Sequence, residues 1–159
     1  NNDMVAAYAN DNWSQPNLQP AREDINLLLE DVTVDTFVQN LQENITTDSL
    51  DFDIQVLNGD SSKLGKKDFT HNVNVIFYDG DNSEHKMREF FINMIDFTED
   101  VFTLVVDDAN IEENVAITKR FIDAMGLKIL YERELLNDQE DMDMWWNGLY
   151  VVVLSKSTL

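Results

Sequence analysis

The chain contains no cysteine, which excludes disulfides, thiolate nucleophiles and cysteine-based zinc sites. Its two prolines, Pro16 and Pro20, both fall in the polar stretch NWSQPNLQPAR (residues 12–22), which reads as a loop. Five glycines are scattered at positions 59, 65, 80, 126 and 148, and no Gly-x-Gly occurs. Basic residues are scarce: 11 Lys and Arg stand against 31 Asp and Glu, a net charge of −20. Such a surface repels phosphate backbones, so no nucleic-acid partner is expected, whereas cations are favoured. No apolar run approaches the roughly 18 residues of a membrane helix, so no membrane partner is expected either. The chain reads as cytoplasmic, and its two Asn-x-Ser/Thr triplets, at Asn12 and Asn44, read as chance. It opens NNDMVAAYAND, with no initiator Met and almost no lead-in before an apolar run, which reads as a cut end.

What remains is a chain of 159 residues that is 43% hydrophobic. That suits one domain, residues 1–159, with a sizeable core. Met4 to Tyr8 reads as a buried strand. Glu23 to Glu30 and Thr36 to Asn44 show apolar residues at helical spacing, with Asp35 as N-cap of the second stretch. Phe52 to Leu57 alternates as FDIQVL, a half-buried strand, and Ser61 to Asn72 is a polar loop. Val73 to Tyr78 is the next strand. Ser83 opens a helix that places Met87, Phe90, Phe91, Met94 and Ile95 on one face. Val101 to Val106 is a continuous apolar run, the pattern of a strand buried on both faces.

Asn110 and Glu113 form a capping-box-like start to another helix, which buries Val115, Phe121, Ile122 and Met125 and stops at Gly126. Leu127 to Leu135 and Leu149 to Leu154 are the last strands, joined by NDQEDMDMWWNG. Strands alternating with helices predict an α/β fold with a mostly parallel sheet, and the final pair predicts an antiparallel hairpin.

Ligands of open α/β sheets sit beyond the carboxyl ends of the strands. Asp11, Asp60, Asp79 and Asp107 each follow an apolar run, so a parallel sheet would bring them to one edge. Singly, such aspartates are turn formers and N-caps. Asp79-Gly80-Asp81 together with Asp107-Asp108 is harder to explain that way, because converging carboxylates repel one another. A bound hard cation such as Mg²⁺ would relieve that repulsion. Trp145 and Trp146 read either as a cap under the hairpin or as a wall for an acceptor, and His85 reads as a solvated helix residue.

Two resemblances follow from these motifs. LVVDDANIEENVAITKRFIDAMG (residues 104–126) resembles the opening strand, acid pair and first helix of a receiver domain, but the match stops after one helix. From Tyr8 onward the whole chain resembles the later two-thirds of a class I S-adenosylmethionine-dependent methyltransferase. YANDNWS resembles that family's second strand and its acidic end, VLNGD the third strand and the turn beside the adenine. FYDGDNSEH resembles the fourth strand, VVDDAN the fifth, and WWNGLYVVVLSK the entry to the last, antiparallel strand.

The pairing of Asp-Gly-Asp with Asp-Asp is similar to the macrocin-type, metal-dependent sugar O-methyltransferases. The resemblance implies a Rossmann-like sheet and two cofactors, S-adenosylmethionine and Mg²⁺. It implies Asp79, Asp107 and Asp108 as metal ligands and Asp81 as general base. It places Asp11 at the cofactor ribose, Asp60 and Ser61 near the adenine, Trp13 stacked beside it, and Asp79 also on the cofactor side. Related sequences often carry His where this chain has Asn82. The family's first strand, with its glycine-rich loop E/D-x-G-x-G, would precede Asn1. The implied sheet therefore lacks its central strand, and a homodimer that covers the exposed edges is expected. The implied activity is metal-assisted O-methylation of a small hydroxylated acceptor. The alternative is a non-catalytic module built on the same fold.

Overall fold

The structure is a computed structural model, and it describes residues 5–11, 39, 52–137 and 147–156. The chain divides into two compact units, Asn1–Ser61 and Ser62–Leu159. In the first unit, strands β1 (Val5–Asp11) and β2 (Phe52–Asn58) pair in parallel, with Val5 opposite Phe52 and Asp11 opposite Asn58. Asp11 is therefore the last strand residue, not the first of a turn. The predicted helices at 23–30 and 36–44 lie outside the described residues, apart from Gln39, which is helical.

The second unit holds a four-stranded sheet in the order β3-β4-β6-β5. Its strands are β3 (Val73–Tyr78), β4 (Thr98–Asp107), β5 (Lys128–Leu135) and β6 (Leu149–Ser155). β3 and β4 are parallel, and β6 lies antiparallel between β4 and β5. The expected terminal hairpin is thus present, with β6 inserted beside β4. Helix α1 (Glu84–Met94) follows β3, and α2 (Glu112–Ala124) follows β4.

One sheet face carries the core. Ile76, Tyr78, Phe102, Leu104, Val106, Tyr150, Val152 and Leu154 alternate onto it and are buried. Met87, Phe90, Phe91 and Met94 of α1 and Val115, Ile117, Phe121 and Ile122 of α2 belong to the same cluster. Each fully buried side chain of this kind contributes about 1.5–3 kcal/mol. Exposed ion pairs contribute far less, so apolar packing holds this unit together.

The opposite face differs from the sequence reading. Val101 is exposed and Thr103 and Val105 are half-buried, and Phe77 of β3 is 59% exposed. The run Val101–Val106 reads as doubly buried because both of its faces are apolar, yet α1 and α2 cover only one.

Gly126 ends α2 as predicted. It adopts φ +63°, its N–H donates to Asp123 O and that of Leu127 donates to Ile122 O, the paired bonds of a Schellman stop. Met125, expected in the core, is 40% exposed. The Asn110 capping box does not form: Ile111 precedes α2 and makes no side-chain cap.

Tyr150 combines a buried ring with a hydroxyl that donates to Glu132 Oε2 at 2.9 Å. Lys119 donates to Glu134 Oε1 at 2.8 Å and stands 5.3 Å over the Tyr150 ring. Burial, followed by the Glu132 hydrogen bond, pushes the Tyr150 phenol well above its ordinary range. The hydrogen bond to Glu134 raises Lys119 as well. Both groups hold their protons more tightly folded than unfolded. Their stabilisation is complete below the unfolded pKa values of about 10 and 10.4 and is lost as pH rises through the higher folded values. Melting temperature should accordingly hold steady for these groups between pH 8 and 9 and fall beyond about pH 10. Tyr150→Phe should remove most of that alkaline slope; an unchanged slope in this variant would contradict the assignment.

Candidate functional site

The parallel pair β3 and β4 ends at one edge of its sheet, and the connection between β5 and β6 returns to that same edge, where Leu149 pairs with both Asp107 and Leu135. Three segments therefore meet there: the turn after β3, the turn after β4, and the two ends of the β5–β6 connection.

After β3 the chain runs Asp79-Gly80-Asp81-Asn82-Ser83, with Asp79 and Asp81 exposed. Asp81 Oδ1 accepts from the Ser83 N–H at 2.8 Å, and its backbone carbonyl accepts from the Tyr78 hydroxyl at 2.8 Å. Because Tyr78 is itself buried, the core fixes the position of this turn. His85 is exposed and pairs with Glu89 at 3.2 Å on the surface of α1, as the sequence suggested.

After β4 the half-buried Asp107 is the last strand residue, and Asp108 turns the chain with φ +57°. Aspartate adopts this left-handed conformation more readily than most residues. The Asp108 carboxylate is held from two directions. Asn82 Nδ2 donates to Oδ2 at 2.6 Å, and Asn147 Nδ2 donates to Oδ1 at 2.7 Å. Its carbonyl accepts from the Ile111 N–H at 3.0 Å and from Asn114 Nδ2 at 3.3 Å.

Asn110 ties the same turn to the β5–β6 connection. Its Nδ2 donates to Asn137 O at 2.8 Å, and its Oδ1 accepts from the Asn137 N–H at 3.1 Å. Asn147 and Gly148 follow with φ of +72° and +74°. Their carbonyls accept the N–H groups of Asn110 at 2.7 Å and Ala109 at 3.1 Å.

The structure thus brings Asp108 together with Asn82 and Asn147, two amides that the sequence reading did not assign to the site. An Asn-Gly pair favours consecutive positive φ values, and that signal marks Asn147. No sequence signal marks Asn82 as its partner.

The expected metal set is not assembled. Among the described residues, no three carboxylate or histidine side chains are grouped to hold a metal ion. Asp79, Asp107 and Asp108 occupy one sheet edge, but the Asp108 oxygens already face amide donors. The donor set does not fit Mg²⁺.

In the first unit, Asn10 bridges the ends of the parallel pair: its Nδ2 donates to Leu57 O at 2.7 Å and to Gly59 O at 3.1 Å. Asp60 follows half-buried, and Ser61 opens a 3-10 turn over Ser61–Lys63. Of Asp11 only the backbone is described, and Trp13, Trp145 and Trp146 lie outside the described residues. A recess of about 430 Å³ in the second unit is lined by Ser62, Lys63, Glu89, Ile92 and Asn93 and includes none of the predicted site residues.

No protein-family model matches the chain, and no curated protein matches it in sequence. Solved structures do. A Pyrococcus horikoshii protein described as an RNA methyltransferase superposes with a TM-score of 0.51 and 16% identity, over 79% of this chain and 58% of that one. The N-methyltransferase NodS from Bradyrhizobium japonicum, solved with S-adenosyl-L-homocysteine, superposes with a TM-score of 0.51 and 11% identity, over 96% of this chain and 78% of its own. The chain therefore spans a little over half the length of the first.

One expectation is overturned by this likeness. A net charge of −20 led to the exclusion of nucleic acid, yet the fold is shared with a protein described as an RNA methyltransferase. Net charge sums over a whole surface and does not describe the local field where a substrate docks. What the likeness establishes is architecture: the chain has the Rossmann-like α/β fold of the class I S-adenosylmethionine-dependent methyltransferases.

Proposed function

We propose that this chain is an S-adenosylmethionine-dependent methyltransferase domain that acts on a small hydroxylated acceptor. The observation that supports this most is the strand order β3-β4-β6-β5, a parallel pair joined to an antiparallel hairpin, in a fold shared with NodS, which was solved with S-adenosyl-L-homocysteine. The first unit offers suitable acceptors for cofactor donors, since Asp11 ends β1 and Asp60 follows β2. In this reading Asp11 accepts hydrogen bonds from the ribose hydroxyls. Asp60 and Ser61, at the end of the same parallel pair, would be the groups nearest the adenine.

The cofactor supplies an activated methyl group on its sulfonium sulfur. Asp81 would take the proton of the acceptor hydroxyl and so make its oxygen the nucleophile for that methyl. The exposed Asp81 is suited to this task because the Ser83 N–H orients its carboxylate and the Tyr78 hydroxyl anchors its backbone. No step is routed through a metal.

A second reading, an RNA acceptor, is favoured by the neighbour described as an RNA methyltransferase. Transfer of labelled methyl to RNA, against transfer to small polyols, separates the two.

The first test is calorimetric titration of the 159-residue chain with S-adenosylhomocysteine, with and without Mg²⁺. Saturable one-site binding is expected in both conditions. Absence of heat at millimolar ligand would remove the enzyme reading and leave the non-catalytic module in its place.

A further inference from the structure

We infer that Asp108 is a metal-independent organising carboxylate: the Asn82 and Asn147 amides solvate its charge by hydrogen bonding and lock three loops together, so the carboxyl edge keeps its shape without a divalent cation. Asn82 lies in the turn after β3, and Asn147 lies at the end of the β5–β6 connection, 26 and 39 residues away from Asp108 in sequence. Both approach at charge-assisted distances, 2.6 and 2.7 Å, one to each carboxylate oxygen.

The positive ends of the two amide dipoles point at the carboxylate, which is what a cation there would do. An incoming Mg²⁺ requires oxygen ligands at about 2.0–2.1 Å in octahedral array. It would have to break both hydrogen bonds and turn each amide so that its carbonyl oxygen, not its N–H, faced the ion. No other carboxylates complete the set, because no group of three lies together among the described residues. Position 82 decides the outcome. An amide there donates to Asp108, whereas a carboxylate would repel it and would need a cation between the two.

This inference rests on the fold and on hydrogen bonding, not on methyl transfer, so its test uses the cofactor-free chain. Thermal unfolding of the wild-type protein should give the same midpoint in chelator and in millimolar Mg²⁺, and calorimetry should show no saturable Mg²⁺ binding. Asn82→Ala, which only removes a donor, should lower the midpoint by roughly 4 °C and remain indifferent to Mg²⁺. Asn82→Asp should lower it further, and Mg²⁺ should restore part of the loss.

The proposal is overturned if Mg²⁺ raises the wild-type midpoint and Asp108→Asn abolishes that rise. It is also overturned if Asn82→Ala unfolds at the wild-type midpoint. Failure of S-adenosylhomocysteine to bind would leave these results unaffected, and the converse holds too.

Discussion

Gly148→Ala should destabilise the second unit by about 3 kcal/mol, as the sum of left-handed backbone strain and overpacking. Gly148 adopts φ +74°. A methyl carbon built there would lie 2.5 Å from Asn110 Oδ1, 2.9 Å from Leu135 O and 3.3 Å from Leu136 Cα. Two of these three neighbours are backbone atoms and cannot swing away. The third, Asn110, is held by its reciprocal bonds to Asn137. Relief of the clash would therefore have to break the ties between the β4 turn and the β5–β6 connection.

Gly126→Ala is the matched control. Gly126 also has positive φ, +63°, but nothing lies within 4 Å of a Cβ added there. It should cost only the backbone term, roughly 1–2 kcal/mol. Urea unfolding of both variants measures the difference. Equal losses would mean that the contacts around Gly148 give way without cost, and the sutured edge would lose its support.

How legible this edge is from sequence depends on the range of the interaction. β3 is readable to the residue, because the apolar run VNVIFY stops at Asp79-Gly80. β4 starts three residues before its apolar run. Thr98, Glu99 and Asp100 look polar, yet Thr98 is buried with its hydroxyl on Ile95 O, and Asp100 O accepts the Lys156 N–H. Hydropathy does not register strand residues satisfied in that way.

The Asn110 cap illustrates the opposite error. Its local pattern is sound, but the amide is taken by the Asn137 backbone, and a tertiary contact overrides a local one. The Asp107-Asp108 pair shows the same limit of a local reading. Counting carboxylates gives the charge at an edge but not the donors that face it, and Asn82 and Asn147 arrive from distant parts of the chain.

Phe91→Ala should cost about 3–5 kcal/mol, a large share of the roughly 5–15 kcal/mol that stabilises an ordinary domain. Phe91 is 0% exposed, and its ring centroid lies 5.5 Å from Tyr78, 5.9 Å from Phe90 and 5.1 Å from Phe121. It thus joins α1 to both β3 and α2. The damage should also reach the candidate site, because the same Tyr78 hydroxyl anchors the Asp81 turn.

Phe77→Ala supplies the contrast. It removes the same atoms from the opposite sheet face, where Phe77 is 59% exposed, and should change stability by only about 0.5 kcal/mol. Chemical denaturation of the two variants tests which sheet face is the core. A Phe77→Ala loss as large as that of Phe91→Ala would mean that the face bearing Val75, Phe77 and Val101 is packed as tightly as the one under α1 and α2.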